Sequence, residues 1–96
     1  MANVQFFFAS WVSTDGDMAP GDVHLWSAWS FDYGDAFSVT ATPVTGDPEQ
    51  PDRTLAVEDV RINGKPDGTI TLLWNVRNVG SSYIDGYGIG ISWVNQ

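Results

Sequence analysis

The strict two-residue alternation of residues 69–78 narrows the fold of this chain more than any other feature. Ile70, Leu72, Trp74 and Val76 fall on one side of an extended backbone, and Thr69, Thr71, Asn75 and Arg77 fall mainly on the other. Successive side chains of a strand point to opposite faces, so this run is a half-buried strand. No window keeps the 3.6-residue apolar period of a helix for long. Residues 36–44 alternate equally well, with Phe37, Val39 and Ala41 inward and Ser38, Thr40 and Thr42 outward. Tyr87, Ile89, Ile91 and Trp93 make a third inward set near the C-terminus.

Two further strands break the simple pattern. In residues 55–62 the apolar phase moves from Leu55 and Val57 to Val60 and Ile62, as a β-bulge near Glu58-Asp59 produces. Such a bulge can let one strand serve two sheets. Residues 4–12 are apolar on both sides, with Phe6 and Phe8 on one and Phe7, Ala9 and Trp11 on the other, so one face enters a core and the other needs a second cover.

Turn chemistry separates these runs: Asp15-Gly16-Asp17 and Pro20-Gly21, Asp32-Tyr33-Gly34-Asp35, Asn63-Gly64, Pro66-Asp67-Gly68, and Asn78-Val79-Gly80. They divide the chain into about six or seven short strands, a spacing that predicts an all-β, antiparallel, immunoglobulin-like sandwich. Residues 43–53 hold Pro43, Pro48 and Pro51 and read as an extended crossover between sheets, because neither half is large enough to fold alone. At 96 residues, of which 43% are hydrophobic, the chain has material for a single core and a single domain. A domain this small is only marginally stabilised by its core, so oligomerisation would help it and self-association is open from the outset.

Twelve Asp and Glu against four Lys and Arg leave a net charge of −8. A phosphate backbone and an anionic membrane are both repelled, which argues against nucleic-acid and membrane-surface partners. Neutral glycans, basic proteins, cations and copies of the same chain are compatible. The absence of Cys removes disulfides and thiolate metal sites, so the compartment cannot be read from redox chemistry. The apolar run near the start lacks a positive flank and is interrupted by Gln5 and Ser10, so it reads as a strand and not as a signal peptide. No stretch approaches the roughly 20 apolar residues that a membrane helix requires.

Three segments together resemble a known module: Leu55-Ala56-Val57-Glu58-Asp59-Val60, Asp67-Gly68-Thr69-Ile70-Thr71-Leu72, and Trp74-Asn75-Val76-Arg77-Asn78-Val79-Gly80. They resemble the bacterial immunoglobulin-like, adhesion-type repeats known as CARDB-like modules, in which a strand pair with a V-x-N-x-G turn precedes a hydrophobic strand, here residues 87–94. Ala19-Pro20-Gly21-Asp22 is similar to the A-P-G-E turn of those modules, but precedes the N-x-G segment where the family places it after. The resemblance covers about two-thirds of the chain in a permuted order. It implies a non-catalytic scaffold for adhesion, presentation or protein contact, and it transfers no functional residue.

Catalytic inventory is thin. His24 is the only histidine, no G-x-S-x-G elbow accompanies it, and it reads as a half-exposed strand residue. A glycosidase needs two carboxylates at a set separation, and none of the twelve acidic residues announces such a pair. The chain therefore reads as a non-enzyme. Asp15, Asp17 and Asp22 flank a glycine-containing turn and offer oxygen ligands to calcium, although their spacing is not that of an EF-hand; capping and turn hydrogen bonds explain them equally well.

The aromatic surplus points to binding. If residues 23–31 form a regular strand, Val23, Leu25, Trp29 and Phe31 share one face and His24, Trp26 and Ala28 the other; both cannot be buried in one small core, which leaves room for Trp26 to face outward. Trp26 with Tyr33, Asp32 and Asp35 would then make a sugar platform of an aromatic face beside carboxylates. Packing of Trp26 against another strand or loop is the reading favoured over that platform. Gly86, Gly88 and Gly90 leave one face of the last strand as bare backbone, to be covered by a neighbouring ring or by another subunit. Ser-Trp-Val recurs as Ser10-Trp11-Val12 and Ser92-Trp93-Val94; if both terminal strands lie at sheet edges, they invite pairing with a second copy. The expectation is a non-catalytic binding or self-assembling module that acts through Phe6, Phe8, Trp11, Trp26 and the Gly86, Gly88, Gly90 strand. The alternative is a small carbohydrate-binding module or lectin.

Overall fold

The computed structural model describes residues 3–14, 16–32, 35–45 and 47–95, with the side chains of these residues apart from Asn3, Val4, Gln5, Ser30, Asp32 and Asn95. Six strands follow one another: β1 (Asn3–Val12), β2 (Val23–Asp32), β3 (Ala36–Pro43), β4 (Leu55–Gly64), β5 (Thr69–Asn78) and β6 (Gly86–Asn95). They form two three-stranded antiparallel sheets, ordered β1-β6-β3 and β2-β5-β4, and no helix occurs among the described residues. The sheets enclose one apolar core in a β-sandwich of 46 × 26 × 20 Å, of whose length ten-residue strands at about 3.3 Å per residue span roughly 33 Å. In an immunoglobulin constant domain one sheet runs A-B-E-D and the other C-F-G. Here β2, β5 and β4 take the B, E and D places, β3 and β6 take C and F, and β1 stands where G would.

The middle strands carry the core because only they have neighbours on both sides. From β5 come Ile70, Leu72, Trp74 and Val76, and from β6 Tyr87, Ile89 and Ile91, all buried. Met18 and Ile84 close one end of the core and exchange backbone hydrogen bonds of 2.8 and 3.0 Å across it. The bulge anticipated at Glu58-Asp59 lies between Glu58 and Arg61, with Asp59 at φ 55°. It does not let β4 serve both sheets, since β4 pairs with β5 alone and Val60 and Ile62 stay largely exposed at the sheet margin. Asn63-Gly64 belongs to β4, and the hairpin turn is Pro66-Asp67-Gly68, with Gly68 at φ 91°.

The second terminal strand is not an edge. β6 lies between β1 and β3, so of the two strands that share Ser-Trp-Val only β1 borders open space. Phe7, Ala9 and Trp11 fall on the inner side of β1, opposite Ile91, Ile89 and Tyr87. Gly86, Gly88, Gly90 and Ser92 lie on the outer side, opposite Val12, Ser10, Phe8 and Phe6.

Asn78 ends β5 and holds the connection to β6. Its buried side-chain amide donates to the carbonyls of Met18 (3.1 Å) and Ser82 (2.9 Å), and its Oδ1 accepts from Gly80 N–H at 3.1 Å. The same connection is tied to the β3–β4 crossover by Asp52, whose carboxylate accepts from the N–H and hydroxyl of Ser81, each at 2.9 Å, and from the Thr54 hydroxyl at 2.9 Å. A Cβ on Gly80 would collide with the Asp52 carbonyl and sit 2.9 Å from Thr54 N, so the crossing chains need glycine there. Asn78→Ala is expected to cost about 1–3 kcal/mol, because it removes three hydrogen bonds and strands the Ser82 carbonyl, while the Met18 carbonyl keeps Ile84 N–H and Gly80 N–H keeps the Thr54 carbonyl; urea denaturation checks this.

Hydrogen bonds hold the Asp52 carboxyl below its ordinary value, chiefly the Ser81 hydroxyl, and the Thr69 hydroxyl does the same for Asp67 in the hairpin turn. Carboxyls that bind protons more weakly when folded contribute stability above the ordinary carboxylate range, and lose it as pH falls through their lowered values. Asp52→Asn/Asp67→Asn is therefore expected to flatten the decline of the urea midpoint between about pH 5 and pH 2.

Candidate functional site

Charge is divided unequally between the two sheets. The strands β1, β3 and β6 contain no Asp, Glu, Lys, Arg or His, so the strand charges of this −8 chain all belong to the other sheet. The outer face of the uncharged sheet is built by register: Phe6 beside Ser92 and Ser38, Phe8 beside Gly90 and Thr40, Ser10 beside Gly88 and Thr42, and Val12 beside Gly86. It presents Phe6 at 70% exposure, Phe8 at 79% and Val12 at 68%. This face is apolar along β1 and hydroxylic along β3.

The three glycines of β6 are covered to different degrees. A Cβ on Gly90 would meet the Phe8 ring at 3.6 Å and Thr40 Oγ1 at 3.1 Å, so the ring lies against bare backbone. A Cβ on Gly86 would meet the Trp11 carbonyl at 3.2 Å and Val44 at 3.3 Å, whereas one on Gly88 would have only the Ala9 carbonyl at 4.0 Å. Intramolecular cover is thus partial, and the Gly88 position remains open.

Trp11 and Trp26 point into the sandwich. Opposite Trp74, Trp26 stacks on it with ring centroids 6.1 Å apart and planes at 8°, which is the packing reading of Trp26 and not the outward one that the sugar platform required. The cause is a break in β2: its register shifts between Ala28 and Phe31. His24, Trp26 and Ala28 turn inward before it and Phe31 after it, leaving Leu25 and Trp29 exposed. Phe31 then packs edge-on against Phe37 and Trp93 at 4.8 and 5.1 Å at the far end of the core.

A polar hub sits within the aromatic cluster. The Trp26 indole N–H donates to the Tyr87 hydroxyl at 2.9 Å, and that hydroxyl lies 2.6 Å from His24 Nδ1. Indole nitrogen only donates, so all three groups are satisfied when Tyr87 accepts from Trp26 and donates to His24, which leaves the imidazole proton on Nε2. Trp11 closes against His24 edge-on at 4.6 Å. Together Trp11, Val23, His24, Leu25 and Trp26 line a shallow depression of about 430 Å3 between the β1 and β2 edges.

Other sequence-derived candidates do not converge. Trp26 precedes Asp32 by six positions on β2, roughly 20 Å along an extended strand, so the two cannot share one sugar platform. Asp35 immediately precedes β3, on the Asp32 side; Tyr33 and the Asp32 side chain lie outside the described residues. Asp15 also lies outside them, Asp17 is exposed, and Asp22 accepts from Ala19 N–H at 2.9 Å in a turn. Among the described residues no three His, Asp or Glu side chains gather as a metal site.

No protein-family model matches the chain, and neither the curated proteins nor the solved structures give a significant match. Sequence reasoning overlooked Tyr87 as the hub and Val12 as part of the exposed face. Val12 was legible, since it continues the parity of Phe6 and Phe8. Tyr87 was not, because its partners are more than 60 residues away in sequence. Tyr87→Phe is expected to cost about 1–3 kcal/mol, by stranding the Trp26 N–H and His24 Nδ1. Burial raises the Tyr87 hydroxyl above its ordinary value of 10.0. The unfolded chain therefore ionises first, so stability is full below that value and falls as pH rises past it. In Tyr87→Phe the alkaline fall in the urea midpoint should disappear.

Proposed function

We propose that this protein is a non-catalytic binding module that self-associates through its uncharged sheet. The observation that carries this reading is the coincidence of Phe6 and Phe8, exposed on one face, with a sheet devoid of charge in a chain of net charge −8. Large apolar side chains grouped on a surface mark contact sites, and like-charged copies meet most readily where no carboxylates oppose one another. Adhesion-type repeats, which the chain resembles in its turns, are modules of protein contact, and that likeness supports the same reading.

Light scattering across a wide concentration range tests it. Wild-type protein is expected to gain mass with concentration, and Phe6→Asp/Phe8→Asp to remain monomeric. Each buried Phe is worth roughly 1.5–3 kcal/mol, so the double variant should weaken association at least about a hundredfold while leaving the fold intact. A wild-type monomer at every concentration would refute self-association.

The depression walled by Trp11, His24 and Trp26 favours a second reading, a small carbohydrate-binding module that seats a neutral sugar against these aromatic side chains. Titration with neutral oligosaccharides should shift tryptophan emission, and Trp11→Ala should abolish the shift. An unchanged spectrum with every sugar rules this reading out.

A further inference from the structure

Each sheet has two outer strands, and three of the four carry features that oppose pairing with another strand. β4 has a bulge, a residue at positive φ and the charges of Glu58, Asp59 and Arg61. β2 breaks register between Ala28 and Phe31 and ends on Asp32. β3 is shorter, at eight residues, and ends on Pro43. β1 has none of these: it pairs with β6 without interruption from Asn3 to Val12 and holds no charge and no proline.

The free hydrogen-bonding groups of β1 can be assigned. At the end of the β1–β6 ladder Ser13 N–H donates to the Asp85 carbonyl at 2.9 Å. In an antiparallel ladder the residues bonded to a given neighbour alternate, so odd-numbered residues of β1 face β6. The N–H and C=O groups of Phe6, Phe8, Ser10 and Val12 therefore point away from it, toward the unpaired edge. These are also the residues whose side chains stand on the exposed outer face.

We propose that the occupant of this edge is β1 of a second copy, paired antiparallel about a two-fold axis near Phe7, so that two three-stranded sheets become one six-stranded sheet. This rests on the self-association proposed above and specifies its geometry. An axis perpendicular to the sheet keeps both outer faces on one side only if paired residue numbers add to an even total. Centring on Phe7 sets Phe6 opposite the partner's Phe8, and Phe8 opposite the partner's Phe6, both in hydrogen-bonded pairs. Centring on Phe8 leaves Phe6 opposite the partner's Ser10. On the outer face the first register gains two cross-strand aromatic pairs against one, and such pairs stabilise a sheet beyond their area. A second copy fits better than a charged peptide, because the strand is self-complementary in this register and offers no charge to select another partner.

Amide hydrogen exchange, measured by NMR on wild-type protein at dilute and concentrated conditions alongside the mass, tests the pairing. The amides of Phe6, Phe8 and Ser10 are expected to exchange at least about tenfold more slowly when the mass has doubled, while those on the free edge of β4 do not change. A doubled mass with these three amides still fast would overturn edge pairing yet leave self-association through the Phe face standing. A monomer throughout would overturn both. Ser10→Pro removes one outward N–H and keeps every aromatic side chain and the β1–β6 ladder, so it should be folded and monomeric. If it is folded and still dimeric, the proposal fails; if it does not fold, the wild-type exchange pattern decides.

Discussion

The structure depends on two strands facing each other. β5 and β6 are the only strands hydrogen-bonded on both sides, and their inward side chains fill the space between the sheets with Leu72, Trp74, Val76, Ile89 and Ile91. Every outer strand is secured by pairing with one of these two and by laying its own inward residues on the same core. Burial of this kind is non-directional, so it is compatible with many registers; hydrogen bonding selects one. Tyr87 does so from within, since its hydroxyl joins β6 to Trp26 and His24 on β2 in the opposite sheet. Asn78 and Asp52 do so at the margin, where they tie the crossover and the approach to β6 into one unit.

That arrangement accepts a cost. The Trp74 indole N–H and the Thr71 hydroxyl are buried without a hydrogen-bond partner among the described residues, and such groups typically cost about 1–3 kcal/mol each. Trp74 offsets part of it by stacking with Trp26. A core with this balance has little margin, and burying Phe6 and Phe8 against a second copy would add to it by mass action. Under the proposed self-association, function and stability would be linked through the same uncharged sheet. The opposite sheet, which holds Glu58, Asp59, Arg61 and Arg77, keeps the other face solvated and its edges guarded. Arg77 donates to Glu58 at 2.7 Å across β5 and β4, so even the cations of that sheet are used locally.

Alternation was readable wherever a strand ran without interruption. Ile70 to Val76, Phe37 to Ala41 and Tyr87 to Trp93 needed only the period of two, and each set faces the core as its parity demands. The bulge in β4 was readable too, because the apolar phase slips visibly between Val57 and Val60. The bulge in β2 was not: Ala28-Trp29-Ser30-Phe31 contains neither glycine nor proline, and aromatic residues on both faces make either phase look apolar. The inversion of Trp26 and Trp29 followed directly from that hidden shift.

Local chemistry in the sequence determined the strands, most of their turns and the all-β class, because side-chain parity and turn preferences act over a few residues. It also determined that Phe6 and Phe8 share a face and that the first strand carries no charge. Which strands became central, and so that β1 is an open edge while β6 is not, was decided only by the tertiary structure. So was the meeting of Tyr87 with Trp26 and His24. Sheet order and such polar contacts arise from pairings across tens of residues, whose stability depends on the whole core closing at once and leaves no mark at any single position.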